Sequence, residues 1–400
     1  VKILIIAPKV PYPPKDGGAL ATWLPMKGLS DLGNELSLLA VNTSKHFIAD
    51  NDIPEDIRKQ IKWHTVFTNT SITVADTLKN FIFSSQPYLA ERFWTSAFEK
   101  KLLELICTNS YDIIQFEGPF LLHYLPVIRK YSKAKVVFRA HNIEYEIWER
   151  TAAQEKNLIK KLYIKHLTYR IRKFEKALIN QYDGLIPITA RDGAHFQALG
   201  NKKPIRDIPA GMILNAVQPQ NFEQIKPCFL GALDWMPNQE GLLWFINEVW
   251  PMVYANYPSM RFNIAGRNAP ASLVKKLNAP GIIFHGEVND AQVFLNQYNV
   301  LVAPLFSGSG MRVKIIEGMA HSKIVLTTTQ GAEGLPCESG KHLFIANSVK
   351  EFASLFDVIQ SNATVAGQVS VNARKFIEEH YENTALCLKL QDFYQSLIKA

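Results

Sequence analysis

Between residues 304 and 320 the chain reads Pro-Leu-Phe-Ser-Gly-Ser-Gly-Met-Arg-Val-Lys-Ile-Ile-Glu-Gly-Met-Ala, which puts a glycine turn, two cations and a carboxylate at the start of a predicted helix. The apolar run 300–303 ahead of it predicts a buried strand. Gly308, Ser309 and Gly310 leave the strand-to-helix turn nearly free of side-chain bulk. Backbone N–H groups there can approach a phosphate, and the helix start adds partial positive charge. Arg312 and Lys314 lie within a turn of that loop and could neutralise a diphosphate. Cations in a first helical turn oppose the helix dipole, so their position asks for a functional explanation. Glu317, about one turn further on, could accept hydrogen bonds from sugar hydroxyls. The bland alternative is an ordinary glycine turn with a solvated basic first turn.

Other strand exits carry chemistry-bearing residues. The first apolar run leads through Pro8–Lys9 and Lys15–Asp16 to Gly17 and Gly18 before a helix, where a ligand could touch the backbone beside a lysine. This stretch lacks both G-x-G-x-x-G and the G-K-[ST] ending, so the common dinucleotide and ATP loops are disfavoured. His141 and Glu144 follow the run 135–138. The histidine could bind a sugar or an acceptor with Glu144 orienting it, or cap a sheet edge. Arg267 follows 261–265, and Glu333 and Gly334 follow 324–328, so both would lie at one rim. Asn238 reads as a helix cap. No H-E-x-x-H or clustered His/Cys set occurs, and Asp50-Asn51-Asp52 reads as a solvated loop, so no metal site is expected.

The elements that must position these residues alternate. Strand-like runs at 2–7, 36–41, 61–67, 113–116, 135–138, 184–188 and 205–208 are separated mostly by helical stretches at 19–32, 89–106, 121–130 and 192–199. After punctuation by Pro209, Gly211, Asn215 and Pro219 the pattern restarts at 227–231, continues with a helix at 239–254, and recurs at 261–265, 281–284, 300–303, 324–328 and 342–345. Such alternation predicts α/β architecture, two doubly wound Rossmann-like domains with ligands at the C-terminal ends of their strands. The expected division is 1–210, a hinge at 211–226, 227–368, and a helical region 369–400 returning to the first domain. The segment 68–87 mixes turn residues with apolar ones and reads either as an acceptor-binding loop or as ordinary packing.

At 400 residues, 47% hydrophobic and 20% charged, the chain fits two globular domains and excludes wholesale disorder. Cys107, Cys228, Cys337 and Cys387 form no C-x-x-C pair and suit a reducing compartment. The opening apolar run is too short for a signal peptide core, and no 18-residue apolar segment occurs. A cytoplasmic location is therefore expected. The net charge of +8 implies anionic company. Much of it lies at 156–176, where eight cations face one acid and Leu158, Leu162, Leu167, Ile171, Phe174 and Leu178 recur at helical spacing. This basic amphipathic helix is either a solvated face or a patch for an anionic membrane surface at the inner face of the cytoplasmic membrane. No zinc-finger spacing or RNA-binding signature supports nucleic acid as a partner.

With these residues in view, the chain resembles the retaining nucleotide-sugar glycosyltransferases of the two-domain GT-B type, especially the bacterial group 1 transferases of cell-surface polysaccharide synthesis. The signals are F-L-G, P-N, I-A-G-R, F-H-G-E-V and G-S-G-M-R-x-K-I-I-E-G-M-A, all in the second half. The resemblance implies two domains facing across a cleft, an NDP-sugar donor held chiefly by the second domain, and a saccharide or lipid-linked saccharide acceptor approached from the first. It implies diphosphate contacts from Arg312 and Lys314 with Gly308, Ser309 and Gly310, and Glu317 at the nucleotide ribose. Gly17 and Gly18 would face the donor, His141 the transferred sugar, and Arg267, Glu333 and Gly334 the donor pocket. Two departures stand out: Ser309 replaces the first of two glutamates that have seven residues between them, and 232–239 lacks the usual arginine and lysine pair. Arg312 and Lys314 are expected to compensate and to replace a metal ion. An NDP-sugar epimerase or hydrolase, or a noncatalytic nucleotide- or glycan-binding protein, is the alternative.

Overall fold

The computed structural model describes residues 1–14, 16–217, 220–307 and 312–400. Lys15 and the turn residues Gly308, Ser309 and Gly310 lie outside the described residues. The chain forms two compact units, one built from Val1–Gly211 with Asn383–Ala400, the other from the described residues of 212–382.

The first unit contains β1 (Lys2–Ala7), β2 (Glu35–Thr43), β3 (Ile61–Thr68), β4 (Ile113–Glu117), β5 (Lys135–Ala140) and β6 (Gly184–Pro187). They form a parallel sheet in the order β3-β2-β1-β4-β5-β6. Strands such as Lys-Ile-Leu-Ile-Ile-Ala are apolar on both faces because helices cover both sides, which is what a parallel sheet requires. The second unit repeats the plan with β7 (Pro227–Leu230), β8 (Phe262–Ala265), β9 (Ile282–Phe284), β10 (Val300–Ala303), β11 (Ile324–Thr327) and β12 (Phe344–Ile345), in the order β12-β11-β10-β7-β8-β9. In each sheet the strand order reverses once, between β1 and β4 and between β7 and β10. Connections leave such a point in opposite directions and open a crevice at the strand C-termini.

Several local expectations need correction, the first being the helix expected at 89–106, which is two, Tyr88–Glu91 and Ser96–Thr108. The run 205–208 forms no full strand; it accompanies β6 through bonds such as Arg206 N to Leu185 O, 3.1 Å, between Pro204 and Pro209. The helix expected at 239–254 is two helices, Met236–Trp244 and Trp250–Asn256, joined by a π-helical turn at Phe245–Val249. Pro251 has no N–H for the regular ladder, which accounts for the widened turn. The segment 68–87 is no simple loop, since a helix spans Val74–Phe83, capped by the Thr73 hydroxyl. The last strand is shorter than expected, at Phe344–Ile345.

The chain divides within 369–400, after Glu382. The helix Ala363–Tyr381 packs Ala366 and Val369 into the core of the second unit. The following helix, Asn383–Lys399, packs Leu386, Leu390, Phe393, Tyr394 and Leu397 into the core of the first. Its approach to the helix Gly17–Asp31 is close enough that a Cβ on Gly28 would run into the Cys387 Sγ and lie 2.7 Å from Asn383 Nδ2. Asn383 Nδ2 in turn donates to Leu24 O at 3.0 Å. Gly28→Ala should therefore destabilise the first unit by about 1–3 kcal/mol through overpacking. Gly367→Ala, in a helix with nothing within 4 Å of the new methyl, should be neutral or stabilising. Urea midpoints with hydrogen exchange across 383–399 measure both, and an unmoved midpoint for Gly28→Ala would contradict the close crossing.

Candidate functional site

In the second unit β7, β8, β10 and β11 end at one edge, and the predicted residues sit on the connections leaving them. The helix Met236–Trp244 lies directly on the exit of β10, since a Cβ on Gly241 would collide with the Pro304 carbonyl. Asn238, 4% exposed, is not the cap it was expected to be: the cap position is Trp235, with no side-chain bond, and Asn238 lies within the first helical turn. Its Nδ2 donates to Ala232 O at 2.8 Å, and its Oδ1 accepts from Lys314 Nζ at 2.7 Å. The same ammonium stands 4.7 Å from the Phe229 ring centroid. Lys314 belongs to the helix Val313–Ala320 after β10, yet its charge is delivered to the exit of β7, where 232–239 has no cation of its own.

Arg312 caps the start of that helix through its carbonyl, which accepts from Ile315 N at 2.8 Å. Its side chain is 2% exposed and reaches the loop after β11, with Nη2 donating to Gln330 O at 3.3 Å and 3.9 Å from Glu333 Oε2. Gln330 Nε2 holds the same Glu333 oxygen at 2.6 Å. Glu333 thus anchors Arg312, and Gly334 follows in a left-handed conformation, φ 82°. Burial, then the Arg312 charge, pushes the Lys314 ammonium down to about 7. Glu317 is half-buried, its carboxylate meets no hydrogen-bond or ion-pair partner among the described residues, and burial raises its pKa. Arg267 follows β8, half-exposed and likewise without a side-chain partner among the described residues. The three turn residues assigned to the phosphates, Gly308, Ser309 and Gly310, are not among those described.

In the first unit the exits of β1, β4 and β5 meet at the reversal point. His141 Nε2 lies 2.5 Å from Glu117 Oε2, at the end of β4. Gln115 Nε2 donates to Glu117 Oε1 at 2.6 Å, and Tyr394 OH donates to Gln115 Oε1 at 2.5 Å. Arg139, fully buried, places Nε 3.8 Å from Glu117 Oε2. Burial works to raise the Glu117 pKa, but the hydrogen bond to His141 and the charge of Arg139 hold it below the usual value. An ionised carboxylate only accepts, so His141 Nε2 carries the proton and Nδ1 is left for a ligand. Among the described residues Nδ1 has no hydrogen-bond partner.

Gly17 and Gly18 open the helix capped by Asp16, whose Oδ1 accepts from Ala19 N at 2.9 Å. Lys9 Nζ is tied to the same carboxylate at 2.5 Å, so it is not a free cation for a ligand. A Cβ on Gly18 would make only ordinary contacts of 3.5 Å, so packing alone does not demand glycine in this exposed turn. Thr22 Oγ1 reaches both Gly18 O, 3.2 Å, and Glu117 Oε2, 3.4 Å, which links the glycine turn to His141.

Glu144 does not orient His141. It starts the helix Glu144–Gln154, where its N–H and that of Tyr145 donate to Glu175 at 3.1 and 3.0 Å. Burial pushes Glu144 up to about 7 and, together with the Glu144 charge, Glu175 up to about 8. The orienting residue is Glu117, announced in the sequence only by a carboxylate between an apolar strand and Gly118, φ 86°. Asp52 is occupied locally, accepting from Ala49 N at 3.1 Å. Among the described residues no three His, Cys, Asp or Glu side chains converge as a metal set, and no helix is long and apolar enough to cross a membrane. None of the four cysteines forms a disulfide.

Residues 225–361 match the family model for glycosyl transferases group 1. The chain is 24% identical over 392 residues to an uncharacterized 44.6 kDa protein in the cps region of Klebsiella pneumoniae, covering 96% of this chain and 97% of that one. Sucrose-phosphate synthase from Thermosynechococcus elongatus has a similar structure, with a TM-score of 0.71, 15% identity and all of both chains covered. TarM of S. aureus, in complex with Fondaparinux, α-GlcNAc-glycerol and UDP, gives 0.68 at 13% identity over 98% of this chain and 99% of that one. HepE of Anabaena, in complex with UDP-glucose, gives 0.66 at 12% identity over 99% of each. Two six-stranded parallel sheets that align end to end with these structures identify the fold as GT-B, and residues 225–361 are the stretch that matches the model for glycosyl transferases group 1.

Proposed function

We propose that the protein transfers a sugar from a nucleoside diphosphate sugar to a hydroxyl of a saccharide or lipid-linked saccharide, with retention of anomeric configuration. The observation that carries this reading is the pairing of Arg312 and Lys314 around the exits of β7, β10 and β11, fixed by Glu333, Gln330 and Asn238. As the anomeric C–O bond breaks, negative charge grows on the leaving diphosphate. Cations already held in place stabilise that state more than the ground state. The acceptor oxygen forms the new bond on the face the diphosphate leaves, and the acceptor proton passes to a diphosphate oxygen. Glu317 accepts from the ribose hydroxyls, Arg267 adds a rim cation, and His141 Nδ1 meets a hydroxyl of a sugar substrate. The two cations take the place of a metal ion. HepE with UDP-glucose and TarM with UDP support a uridine nucleotide, and the cps region of the Klebsiella relative supports surface polysaccharide synthesis as the setting.

Incubation with a panel of nucleoside diphosphate sugars and free or lipid-linked saccharides, in EDTA, should yield a glycosylated product of the donor's anomeric configuration. An inverted product, an isomerised or merely hydrolysed donor, or strict dependence on Mn²⁺ or Mg²⁺ would overturn the corresponding part. Arg312→Ala should lower kcat/KM by roughly 10²–10³, as removal of one oxyanion donor does. Lys314 is a cation below about pH 7 and loses its proton above it. kcat/KM, which reports the free enzyme, should therefore fall as pH rises through about 7. In Lys314→Arg, which stays charged, that limb should disappear. A flat profile in the wild type would remove the Lys314 charge from this role.

A further inference from the structure

The helix Val74–Phe83 and the first turns of the helix Leu158–Leu178 share a surface that the proposed chemistry does not use. Ile159, Leu162, Tyr163 and His166 recur at helical spacing and so share a face. Phe81 packs onto that face, its ring centroid 4.7 Å from His166 and 6.4 Å from Tyr163. Around this seam large apolar side chains stand in solvent: Ile82 is 60% exposed, Phe83 81%, Leu158 76%, Ile159 82% and Leu162 68%. Later turns of the same helix bury Leu167, Ile171 and Phe174 in the core of the first unit, so the exposed aliphatic residues gather at its start, with Tyr169 the exposed aromatic further along. Scattered apolar residues need no explanation, but a contiguous group of this size marks a contact surface.

Charge says what the surface meets. Lys79, Lys156, Lys160 and Lys165 are exposed around the apolar group. Lys160 is paired with Glu155 at 2.6 Å, and Asp76, which accepts from the Thr73 hydroxyl at 2.6 Å, keeps its charge, so Lys79, Lys156 and Lys165 still leave the rim net positive. An apolar centre with a lysine rim fits a bilayer with anionic headgroups, where long lysine stems let the ammonium groups stay with the phosphates while apolar side chains enter the acyl boundary. A second copy of the chain would bring like-charged rims together across a two-fold contact.

We propose that this surface, formed by the helix Val74–Phe83 and the start of the helix Leu158–Leu178, docks the protein on an anionic lipid bilayer. The docking is independent of the donor chemistry, and its test uses no nucleotide sugar, so either can fail without the other. In flotation, the full chain should rise with vesicles of phosphatidylcholine mixed with phosphatidylglycerol, should stay behind with phosphatidylcholine alone, and should be released by salt. A triple substitution of Ile82→Ser, Phe83→Ser and Ile159→Ser, at exposed positions, should weaken binding by about tenfold or more with an unchanged thermal midpoint. Lys156→Glu with Lys165→Glu should weaken it separately. The proposal is overturned if the chain ignores both kinds of vesicle, or if the triple variant floats like the wild type. It is also overturned if sedimentation shows a dimer that the triple variant abolishes while no vesicle binding occurs.

Discussion

A cation taken out of water at the edge of a parallel sheet must be answered by fixed partners, because the cost of leaving it unanswered exceeds what one contact returns. Arg139 and Lys314 show two solutions. Arg139, next to last in β5 and fully buried, has the Glu117 carboxylate 3.8 Å away to offset its charge, while its Nε and Nη1 meet no hydrogen-bond partner among the described residues. Lys314 is met by an amide oxygen and an aromatic face, neither carrying a full charge to offset the burial and the Arg312 charge that loosen its proton. The first arrangement is electrically closed and orients a histidine. The second keeps net positive character, which suits a site that awaits an anion.

These compensations also join the elements. Asn238 holds Lys314 while binding Ala232 O, so the exit of β7 and the helix after β10 are fixed to each other by one side chain. Arg312 with Glu333 and Gln330 does the same between the exits of β10 and β11. The rim of the second sheet is therefore cross-linked by the groups that would contact a diphosphate. Their spacing is set before any ligand arrives, which is the condition for electrostatic stabilisation of a developing charge.

What the sequence made legible was local. Arg312, Lys314 and Glu317 are neighbours in the chain, and the apolar runs around them have the periods of strand and helix, so the segment could be read from spacing alone. The network under His141 could not. It joins Glu117, 24 residues away, to Gln115 and then to Tyr394, 279 residues further along, and each looks unremarkable in its own surroundings. Glu144 was the nearer carboxylate in sequence, but the helix beginning there points its backbone donors at Glu175. Asn238 looked like a cap, but it sits inside the helix and holds Lys314 instead, a contact that spans 76 residues. The break in the helix after it was missed although Pro251 was in view, and the helix at Val74–Phe83 was obscured by polar turn residues on both sides.

The return of Asn383–Lys399 to the first unit has a consequence for synthesis. The apolar face around Trp23, Leu24 and Leu29 is completed only by side chains such as Leu390, Phe393 and Tyr394. On the ribosome, that face waits while residues 212–382 are made, roughly ten to thirty seconds at about 5–20 residues per second. The usual order, in which the leading domain closes before the next is translated, is thus not open to this chain. Its first half emerges with an uncovered flank, and chaperones have a defined interval in which to occupy it.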